Sequence, residues 1–583
     1  MDISVIFKFN KLTMFAMKGK RYIKYLTYLI LFVLIAAFTR NNPVKDAKRE
    51  KAILEIMMAG LKSGHYEALD INDRFSEKAF DLYIDRLDHG KRFLLASDID
   101  KMEQFKYRID DEVKNRNYGF FEMSVQILNE RMEKAENFYQ EILKTPFDFD
   151  KKEHFETDPD KLPYAKNKKE LKEVWRKYLK YRVLIRLNHM LDTQEKAKEK
   201  NDTTVTIKPF DELEEEARQK VLESHEEWFK RIHQLNREDW LSAYLNSIGN
   251  AYDPHTEYFP PKDKENFDIA MSGQLEGIGA TLYSKDGYIK VRRIVPGSAS
   301  WRQGELKAGD IILKVAQGDQ EPVDIVDMRL DEAVKLIRGK KGTEVRLTVK
   351  KVDGSIVEIP IIRDVVIIEE TYAKSALLKK EKFNKKIGYI DLPKFYANFQ
   401  KKNSRRAADD IKKELTKLMD EEINGIILDL RNNGGGSLQD VVEIAGMFIN
   451  SGPVVQVKAR IGDPMVLKDV NPLVYYDGPL IVMVNGFSAS ASEIFAAAMQ
   501  DYDRAVIVGT PTFGKGTVQR FIDLDKFLLK SDVKSLGSLK LTIQKFYRIN
   551  GKTTQLKGVH PDILLPDNYT YLDIGEDELD YSL

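Results

Sequence analysis

Hydrophobic residues recur at every third or fourth position over residues 42–262. The segments KAFDLYIDRLDHGKRFL and EEARQKVLESHEEWFKRIHQL show this spacing most clearly, and glycine is sparse around them. Positions with this spacing fall on one face of an α-helix, which can then pack against a core. We therefore predict a helical domain over 42–262. The polar stretch 195–209 has no such spacing and is predicted to be a loop.

The pattern changes to short β-type runs near residue 263. The runs GYIKVRRIV, DIILKVA and EVRLTVKKV are separated by glycine-containing turns, and one helical stretch, LDEAVKLIRG, lies among them. Short runs of this kind, bounded by turns, are typical of antiparallel strands. A small β-rich domain with one clear helix is therefore predicted over 263–364.

A third pattern covers residues 365–565, where apolar strands alternate with helices. The strands include KIGYIDL, GIILDLR, PLIVMVN and AVIVGT, and the helices include LQDVVEIAGMFIN and SASEIFAAAMQ. This alternation predicts a layered α/β core, so the whole chain is predicted to be a multidomain α+β protein. Residues 566–583 are acidic, and we expect them to be a loosely held tail.

The first 41 residues have the pattern of an export segment. Four basic residues between positions 18 and 24 precede the apolar run YLTYLILFVLIAAFT, which covers 25–39. The run is shorter than the ~20 residues that a membrane-spanning helix needs, and small residues near its end fit an export signal. The cleavage site is not a clean A-x-A, so an uncleaved anchor stays open. We expect a periplasmic protein, either free or associated with the inner membrane through 25–39.

Composition removes several classes of function. The chain has no cysteine, which excludes disulfides, thiolate nucleophiles and cysteine-ligated zinc. Its net charge of +1 gives no general attraction to nucleic acid. No HExxH motif or clustered ligand spacing occurs, so we predict no metal and no cofactor. Of eight histidines, only His255 and His560 lie in turn-like settings, and neither neighbourhood indicates a triad, so both are assigned structural roles.

The glycine run DLRNNGGGS, from Asp429 to Ser437, is the first candidate for chemistry. It follows an apolar strand and precedes a helix. Glycines let the backbone bring N–H groups close to a ligand, and the helix N-terminus behind them favours negative charge. A phosphate or the oxyanion of an acyl-transfer reaction would suit such a loop. No GK[ST] follows, which disfavours a nucleotide phosphate loop; a simple strand-to-helix turn stays open.

The second candidate, VNGFSASASEIFAAAMQDY, places three serines at the start of a helix. They are Ser488, Ser490 and Ser492. Serines here usually cap the helix, and their spacing does not select a nucleophile. If Ser490 were the nucleophile, the N–H of Ala491 would point the same way as its hydroxyl and could stabilise an oxyanion. Glu493 and Asp501 lie near whole helical turns from Ser490, so all three could share one face.

The third candidate is Lys515 in GTPTFGKGTVQ, between two glycines after an apolar strand. A lysine in a turn is normally a solvated charge. A catalytic lysine must be neutral at working pH, which requires its pKa to fall by burial or by a nearby helix N-terminus. Gln519 is four residues later, on the same face of a strand. Its amide could orient the lysine without adding a charge.

Taken together, these segments resemble the tail-specific, or C-terminal processing, serine protease family, most closely its longer periplasmic type, often called Prc or Tsp. Two upstream segments, FSEKAFDLYIDRLDHGKRFLLASDID and LNSIGNAYDPHTEYF, also resemble the helical N-terminal domain of that type. The resemblance implies a helical domain, a PDZ domain over 263–364 and a ClpP/crotonase-like layered protease core. Longer members continue with a further helical domain, which 566–583 would begin.

The resemblance also implies roles for individual residues. Ser490 would be the nucleophile and Lys515 the general base, with Gln519 orienting the lysine. The positions matching the oxyanion hole are Gly435, Gly436 and Ala491, and those supporting the site are Glu493, Asp501 and Thr512. The PDZ loop that binds a substrate's C-terminal carboxylate corresponds to Glu276, Gly277, Ile278, Gly279 and Ala280.

The predicted function is therefore an endopeptidase that recognises apolar C-terminal tails through its PDZ domain and cleaves by a Ser–Lys acyl-enzyme mechanism. Envelope proteins would be its substrates, and the resemblance implies an adaptor lipoprotein as a further partner. Self-association through the helical domain stays open. Two alternatives stay open. One is a catalytically inactive PDZ-containing scaffold that binds peptides. The other is an acyl-CoA enzyme of the crotonase type, against which the SASASE…FGKG pairing and the export segment argue.

Overall fold

The computed structural model describes residues 43–380, 385–401, 404–528 and 533–583 of the 583-residue chain. The predicted export or anchor segment, 1–41, lies outside the described residues. Among the helices of the described residues, none combines the length and apolarity needed to cross a bilayer.

Helices occupy most of residues 43–250, as the spacing of apolar positions predicts. They are α1 Pro43–Gly64, α2 Asp73–Asp88, α3 Ala96–Glu103, α4 Ile109–Asn115, α5 Gly119–Ile142, α6 Lys168–Glu199, α7 Phe210–His233 and α8 Arg237–Asn250. Asparagine side chains begin three of them by accepting backbone N–H groups, at Asn72, Asn167 and Asn236. The loop predicted over 195–209 is shorter than expected, because α6 continues to Glu199.

The second domain is the predicted β-rich unit. Helix α9, Pro261–Ser272, leads into it, and its remaining elements are β2 Gln274–Gly277, β3 Ala280–Lys285, β4 Tyr288–Ile294, α10 Ala299–Gln303, β5 Ile311–Gln317, β6 Val323–Asp324, α11 Leu330–Ile337, β7 Glu344–Lys350, β8 Ile356–Ile362 and β9 Asp364–Ile367. The main sheet has the order β3-β4-β5-β7-β8, so β3 lies at its edge. Helix α11 is the predicted helix and lies against β3.

The third domain contains the predicted layered core. Its sheet has the order β10-β11-β12-β15-β16-β19, in which only the β10–β11 pair is antiparallel. The strands are β10 Lys374–Lys380, β11 Lys385–Asp391, β12 Gly425–Asp429, β15 Leu480–Val484, β16 Val506–Gly509 and β19 Ile563–Leu564. The helices are α12 Ala407–Met419, α13 Leu438–Gly446 and α14 Ala491–Asp501. Residues 491–499 of α14 are all buried, so this helix is central.

A second sheet joins the layered core to the helical domain. Its strands are β1 Glu257–Phe259, β13 Gly452–Ala459, β14 Met465–Asp469, β17 Thr517–Asp523 and β18 Ser538–Tyr547. Strand β1 belongs to the helical segment, yet it pairs with the start of β18. Leu539 and Leu541 of β18 are fully buried in the same hydrophobic core as Leu61 of α1. The two domains are therefore interleaved and share a core.

The C-terminal segment 566–583 is largely exposed but is anchored at Glu576, so our expectation of a loosely held tail is wrong at that residue. The carboxylate of Glu576 is buried and accepts hydrogen bonds from Nε2 of His255 at 2.7 Å and Nε2 of Gln555 at 2.9 Å. Its N–H donates to the carbonyl of Phe513 at 2.8 Å. An acidic composition suggests a solvated tail, but one buried carboxylate with polar partners anchors this segment to the layered core and to the helical domain.

Candidate active site

Ser490 lies at a sharp turn between β15 and the buried helix α14. Its backbone has φ 57° and ψ −112°, a conformation that non-glycine residues seldom adopt. Its N–H donates to Oε2 of Glu493 at 2.7 Å, and its carbonyl accepts the N–H of Ile494 at 2.9 Å. Strained residues of this kind occur where a strand-to-helix turn presents a side chain to a cleft.

The three candidate serines have different surroundings. Ser488 is fully buried and donates to the carbonyl of Leu430 at 2.8 Å. Ser492 is also fully buried and donates to the carbonyl of Asn433 at 2.8 Å. Ser490 alone of the three is partly exposed and lines a cleft. The structure thus separates serines that sequence spacing could not.

The glycine loop lies against the Ser490 turn and offers backbone donors. A Cβ on Gly435 would come within 2.8 Å of the Cβ of Ser490, so this glycine permits the close approach. Its N–H, however, donates to Oδ1 of Asn433 at 2.9 Å. Gly435 therefore makes space in this structure, and its donor is not directed at the cleft as we expected from its match to the oxyanion hole.

Two N–H groups beside Ser490 are free for an oxyanion. Gly436 forms an isolated parallel bridge with Phe395, in which the hydrogen bonds are made by the residues on either side of Gly436. Ala491 begins α14, so its N–H has no partner within the helix. Among the described residues, neither N–H group has a hydrogen-bond acceptor. Both residues line the same cleft as Ser490.

Glu493 connects the serine turn to the lysine turn. Its carboxylate accepts the N–H groups of Ser490 at 2.7 Å, Gly514 at 2.8 Å and Lys515 at 3.0 Å, and the hydroxyl of Thr512 at 2.7 Å. Burial raises the pKa of Glu493 to about 7, while these donors act in the opposite direction. The predicted supporting residues Glu493 and Thr512 are therefore brought together with both catalytic candidates.

Lys515 lies in an environment that favours its neutral form. Burial and, to a smaller extent, the nearby ammonium of Lys540 lower its pKa to about 8, although the carboxylates of Glu576, Asp253 and Glu493 act in the opposite direction. Its Nζ donates to Oε1 of Gln519 at 2.6 Å. The structure thus places Gln519 beside the lysine, as the resemblance implies.

Ser490 and Lys515 line one cleft of about 720 Å³, together with Gly436, Ala491 and Gln519. No hydrogen bond joins the hydroxyl of Ser490 to Nζ of Lys515 in the described residues. Catalytic hydrogen bonds are often long without substrate and shorten when it binds. The cleft therefore holds a nucleophile candidate, a base candidate and two backbone donors.

Asp501 is the predicted supporting residue that the structure does not bring to the cleft. It lies at the far end of α14, where it accepts from Nη2 of Arg548 at 2.6 Å and from Nδ2 of Asn550 at 2.8 Å. Eleven residues of helix separate it from Ser490, so sharing a helix face does not bring the two side chains together. Asp501 anchors the helix end instead.

Several residues behind Lys515 were missed by the sequence reasoning. Gln555 accepts the N–H of Gly516 at 2.6 Å and donates to the buried Glu576, which is in turn paired with His255. His255 does not line the catalytic cleft, and burial lowers its pKa. The motif AYDPHTEYF carried the only sequence signal for this region, and it contributed to the family resemblance alone.

The predicted tail-binding loop, 276–280, connects β2 to the edge strand β3. Ile278 is buried, and its carbonyl accepts the N–H of Ser300 at 2.8 Å. The carbonyl of Gly279 accepts the N–H of Val295 at 2.9 Å. These contacts fix the loop, and α11 lies against the edge strand β3 that follows it. An extended peptide can add to an exposed strand edge of this kind.

Comparisons with known proteins match each part of the chain. The tail specific protease N-terminal domain matches residues 57–262, a PDZ domain matches 267–350, and peptidase family S41 matches 386–565. These matches and the observed elements confirm the predicted fold class.

Two curated relatives give the same assignment, and one solved domain is also similar to part of the chain. A tail-specific protease of Haemophilus influenzae is 37% identical over 530 residues, which are 90% of this chain and 71% of that protein. A carboxy-terminal-processing protease of Bartonella bacilliformis is 32% identical over 344 residues, which are 58% of this chain and 73% of that protein. The PDZ domain of a carboxy-terminal protease from Vibrio cholerae, solved in complex with peptide, is 39% identical, covers 16% of this chain and 97% of that one, and has a TM-score of 0.16. The chain belongs to the tail-specific, or C-terminal processing, family of serine proteases and carries a PDZ domain.

Proposed function

We propose that this protease is an endopeptidase that selects substrates by their C-terminal tails and cleaves with Ser490 as nucleophile and Lys515 as general base. The setting of Lys515 carries the proposal. Its amine has a lowered pKa, its hydrogen-bond acceptor is the neutral amide of Gln519, and it lines the same cleft as Ser490. A lysine that only stabilised the fold would gain from a carboxylate partner instead.

In the proposed reaction, neutral Lys515 accepts the proton of the Ser490 hydroxyl while Oγ attacks the scissile carbonyl carbon. The N–H groups of Gly436 and Ala491 stabilise the oxyanion that forms. The Lys515 ammonium then gives its proton to the departing amine, which leaves an acyl ester on Ser490. A water molecule, deprotonated by Lys515, attacks the ester carbonyl. The Lys515 ammonium then returns the proton to Oγ of Ser490 as the C–O bond breaks, which releases the new C-terminus and regenerates the neutral lysine.

The clefts of the structure support a path from the PDZ domain to Ser490. A cleft of about 1130 Å³ is lined by Leu275 and Glu276 near the tail-binding loop. Lys264 and Met271 of α9, and Phe521 of β17, line both this cleft and the catalytic one. An unfolded substrate held by its tail could therefore extend along α9 into the catalytic cleft.

The experiment is cleavage of an unfolded reporter that carries either an apolar or a charged C-terminal tail. The single substitutions Ser490→Ala and Lys515→Ala should each abolish cleavage. Both variants should unfold at the same temperature as the wild type. The wild type should prefer the apolar tail, and amidation of the tail carboxylate should remove that preference. Activity in purified Ser490→Ala would overturn the assignment of the nucleophile, and equal cleavage of both tails would overturn the tail selection.

We also propose that the protease acts on envelope proteins after export. The basic and apolar pattern of the first 41 residues supports this location. Cell fractionation, with mass spectrometry of the mature N-terminus, should find the protein in the periplasm or at the inner membrane. A cytoplasmic pool carrying the intact N-terminus would contradict it. Binding of an adaptor lipoprotein is proposed on the family resemblance, and self-association through the helical domain is proposed beside it. Purification from crosslinked envelopes tests both.

A further inference from the structure

A buried chain of hydrogen bonds runs from Gln519 into the helical domain. Nε2 of Gln519 donates to Oγ1 of Thr517 at 2.9 Å and to Oγ1 of Thr542 at 3.0 Å. The hydroxyl of Thr542, on β18, lies 2.9 Å from Oδ1 of Asp253. Thr542 is fully buried and Asp253 nearly so. Asp253 follows α8, so the chain crosses from the protease core to the helical domain.

The chemistry of these groups fixes the direction of each hydrogen bond. An ionised carboxylate can only accept, so the hydroxyl of Thr542 donates to Asp253. That hydroxyl has one hydrogen, and it must therefore accept from Gln519. The amide of Gln519 consequently turns its NH₂ group toward Thr542 and its carbonyl oxygen toward Lys515. The charge on Asp253 thus sets which end of the amide faces the lysine.

The orientation of the Gln519 amide matters for a neutral lysine. A carbonyl oxygen accepts one N–H of Lys515 and leaves the nitrogen lone pair free for the proton of Ser490. An NH₂ group in the same place would donate to that lone pair and compete with the proton transfer. The amide of Gln519 therefore supports proton transfer to Lys515 when its oxygen faces the amine, and opposes this transfer when its NH₂ group does.

The helical domain keeps Asp253 ionised. Besides Thr542, its carboxylate accepts from Oγ1 of Thr256 at 2.5 Å, from Nε2 of His65 at 2.7 Å and from the N–H of His255 at 2.9 Å. Burial by itself would raise the pKa of Asp253, but hydrogen bonds from His65 and Thr256 outweigh it and hold the pKa below its ordinary value. Since His65 belongs to the segment after α1, two parts of the helical domain meet at this carboxylate.

We propose that Asp253, contributed by the helical domain, is a positioning residue for the general base of the protease core. It acts through Thr542 and Gln519, whose hydrogen bonds it directs, and its role rests on the proposed function of Lys515. Correct docking of the helical domain is therefore linked to the orientation of the lysine. The helical domain is part of the catalytic apparatus as well as a neighbour of the core.

The first test compares two variants of the protein, Thr542→Val and Thr542→Ser. Valine has the shape of threonine without the hydroxyl, and serine retains it. With Thr542→Val we expect kcat on the apolar-tailed reporter to fall between about 10- and 100-fold, the effect of a misplaced catalytic group, with KM nearly unchanged. Thr542→Ser should retain most of the wild-type kcat. Equal losses in the two variants, or wild-type kcat in Thr542→Val, would overturn the proposal.

The second test follows the pH dependence of kcat/KM in Asp253→Asn. The charges that face Lys515 come from several elements: Lys540 on β18, Glu576 in the C-terminal segment, Glu493 on α14 and Asp253. Removing the negative charge of Asp253 should lower the pKa of Lys515, so the acidic limb should move to lower pH even though kcat falls. An unmoved limb would contradict the proposal.

Controls separate this role from simple loss of stability. Ser124→Ala removes a buried hydroxyl from α5 that donates to the carbonyl of Phe121 at 2.9 Å, and it should leave the pH limb in place. If Asp253→Asn does not fold, the comparison of Thr542→Val with Thr542→Ser alone tests the positioning role. Activity in Ser490→Ala would overturn the proposed function itself. An inactive Ser490→Ala together with a fully active Thr542→Val would overturn the positioning role alone.

Discussion

Nζ of Lys515 donates to Oε1 of Gln519 at 2.6 Å, so the proposed general base is held by a neutral acceptor. The acceptor fixes the position of the amine without stabilising its charged form as a carboxylate would. This relationship makes the mechanism testable, because each charge near Lys515 has a predictable effect on the pH at which the enzyme becomes active. The neutral lysine is the active form, so kcat/KM should rise with pH along an acidic limb whose midpoint lies near the pKa of Lys515, about 8.

Replacing the neutral acceptor by a charged one should suppress activity at neutral pH. In Gln519→Glu the new carboxylate raises the pKa of Lys515, and the acidic limb of kcat/KM should move to higher pH. Activity below the limb should fall by about tenfold for each unit by which the pKa rises. Reporter cleavage measured from pH 6 to 10.5 checks this, and the deficit should shrink as pH increases. A deficit of the same size at every pH would show that Gln519 does not act through the lysine pKa.

Removing the positive charge of Lys540 should also move the acidic limb of kcat/KM to higher pH. The ammonium of Lys540 lowers the pKa of Lys515, so Lys540→Gln should move the acidic limb to higher pH. Lys540 also pairs with Oε2 of Glu257 at 2.6 Å, and Glu257→Gln breaks this ion pair while retaining the Lys540 charge. The control should therefore lack the upward shift. Identical pH profiles for the two variants would assign any change to the lost ion pair.

Much of the architecture could be predicted because apolar spacing reports which face of an element is buried. It identified the helices of 42–262, the helix α11 among the strands of 263–364, and the alternating core, but it did not find α9 or α10. It could not find β1, because three residues are too few for a pattern, and the pairing of β1 with β18 depends on distant parts of the chain. The anchoring of the C-terminal segment was missed for a similar reason: the partners of the buried Glu576 lie more than 20 residues away in the chain.

The same limit applies to the site. Motifs named Ser490, Lys515 and Gln519, but hydrogen bonding revealed that the N–H of Gly435 is already occupied and that Asp501 anchors a distant helix end. Helical periodicity places two residues on one face and says nothing of the distance between them along the axis. The Asp253 chain was invisible because its members come from three separate segments.

The close approach of the glycine loop to Ser490 predicts a strong effect of Gly435→Ala. The new Cβ would lie 2.8 Å from the Cβ of Ser490 and 3.0 Å from the nitrogen of Ala491, at φ +100°. We expect kcat to fall by about 100-fold or more as both groups are displaced. Gly434→Ala, whose Cβ would meet nothing within 4 Å, is the matched control and should retain most activity. Comparable losses in the two variants would contradict this account.

Glu493 should be needed for activity as well as stability, because its carboxylate holds both turns. In Glu493→Gln the amide NH₂ would face backbone N–H groups and leave buried donors unpaired, at a cost of about 1–3 kcal/mol each. The free energy of unfolding and kcat should both fall. The control is Asp501→Asn, which weakens the ion pair with Arg548 at the far end of the same helix. It should lower the free energy of unfolding but leave the acidic limb of kcat/KM unchanged. Full activity in a folded Glu493→Gln would contradict the bridging role.

The buried carboxylate of Glu576 should connect the C-terminal segment to catalysis. In Glu576→Ala, His255 and Gln555 lose their acceptor, and Gln555 in turn holds the N–H of Gly516 beside Lys515. We expect the free energy of unfolding to fall by about 1–3 kcal/mol, the cost of buried unpaired groups.

Loss of the negative charge of Glu576 should also lower the pKa of Lys515, so the acidic limb of kcat/KM should move to lower pH. Glu578→Ala changes an exposed carboxylate two residues away and should alter neither quantity. Chemical denaturation and pH profiles of the two variants check this, and a Glu576→Ala enzyme with wild-type stability and an unmoved limb would show that the segment does not support the lysine turn.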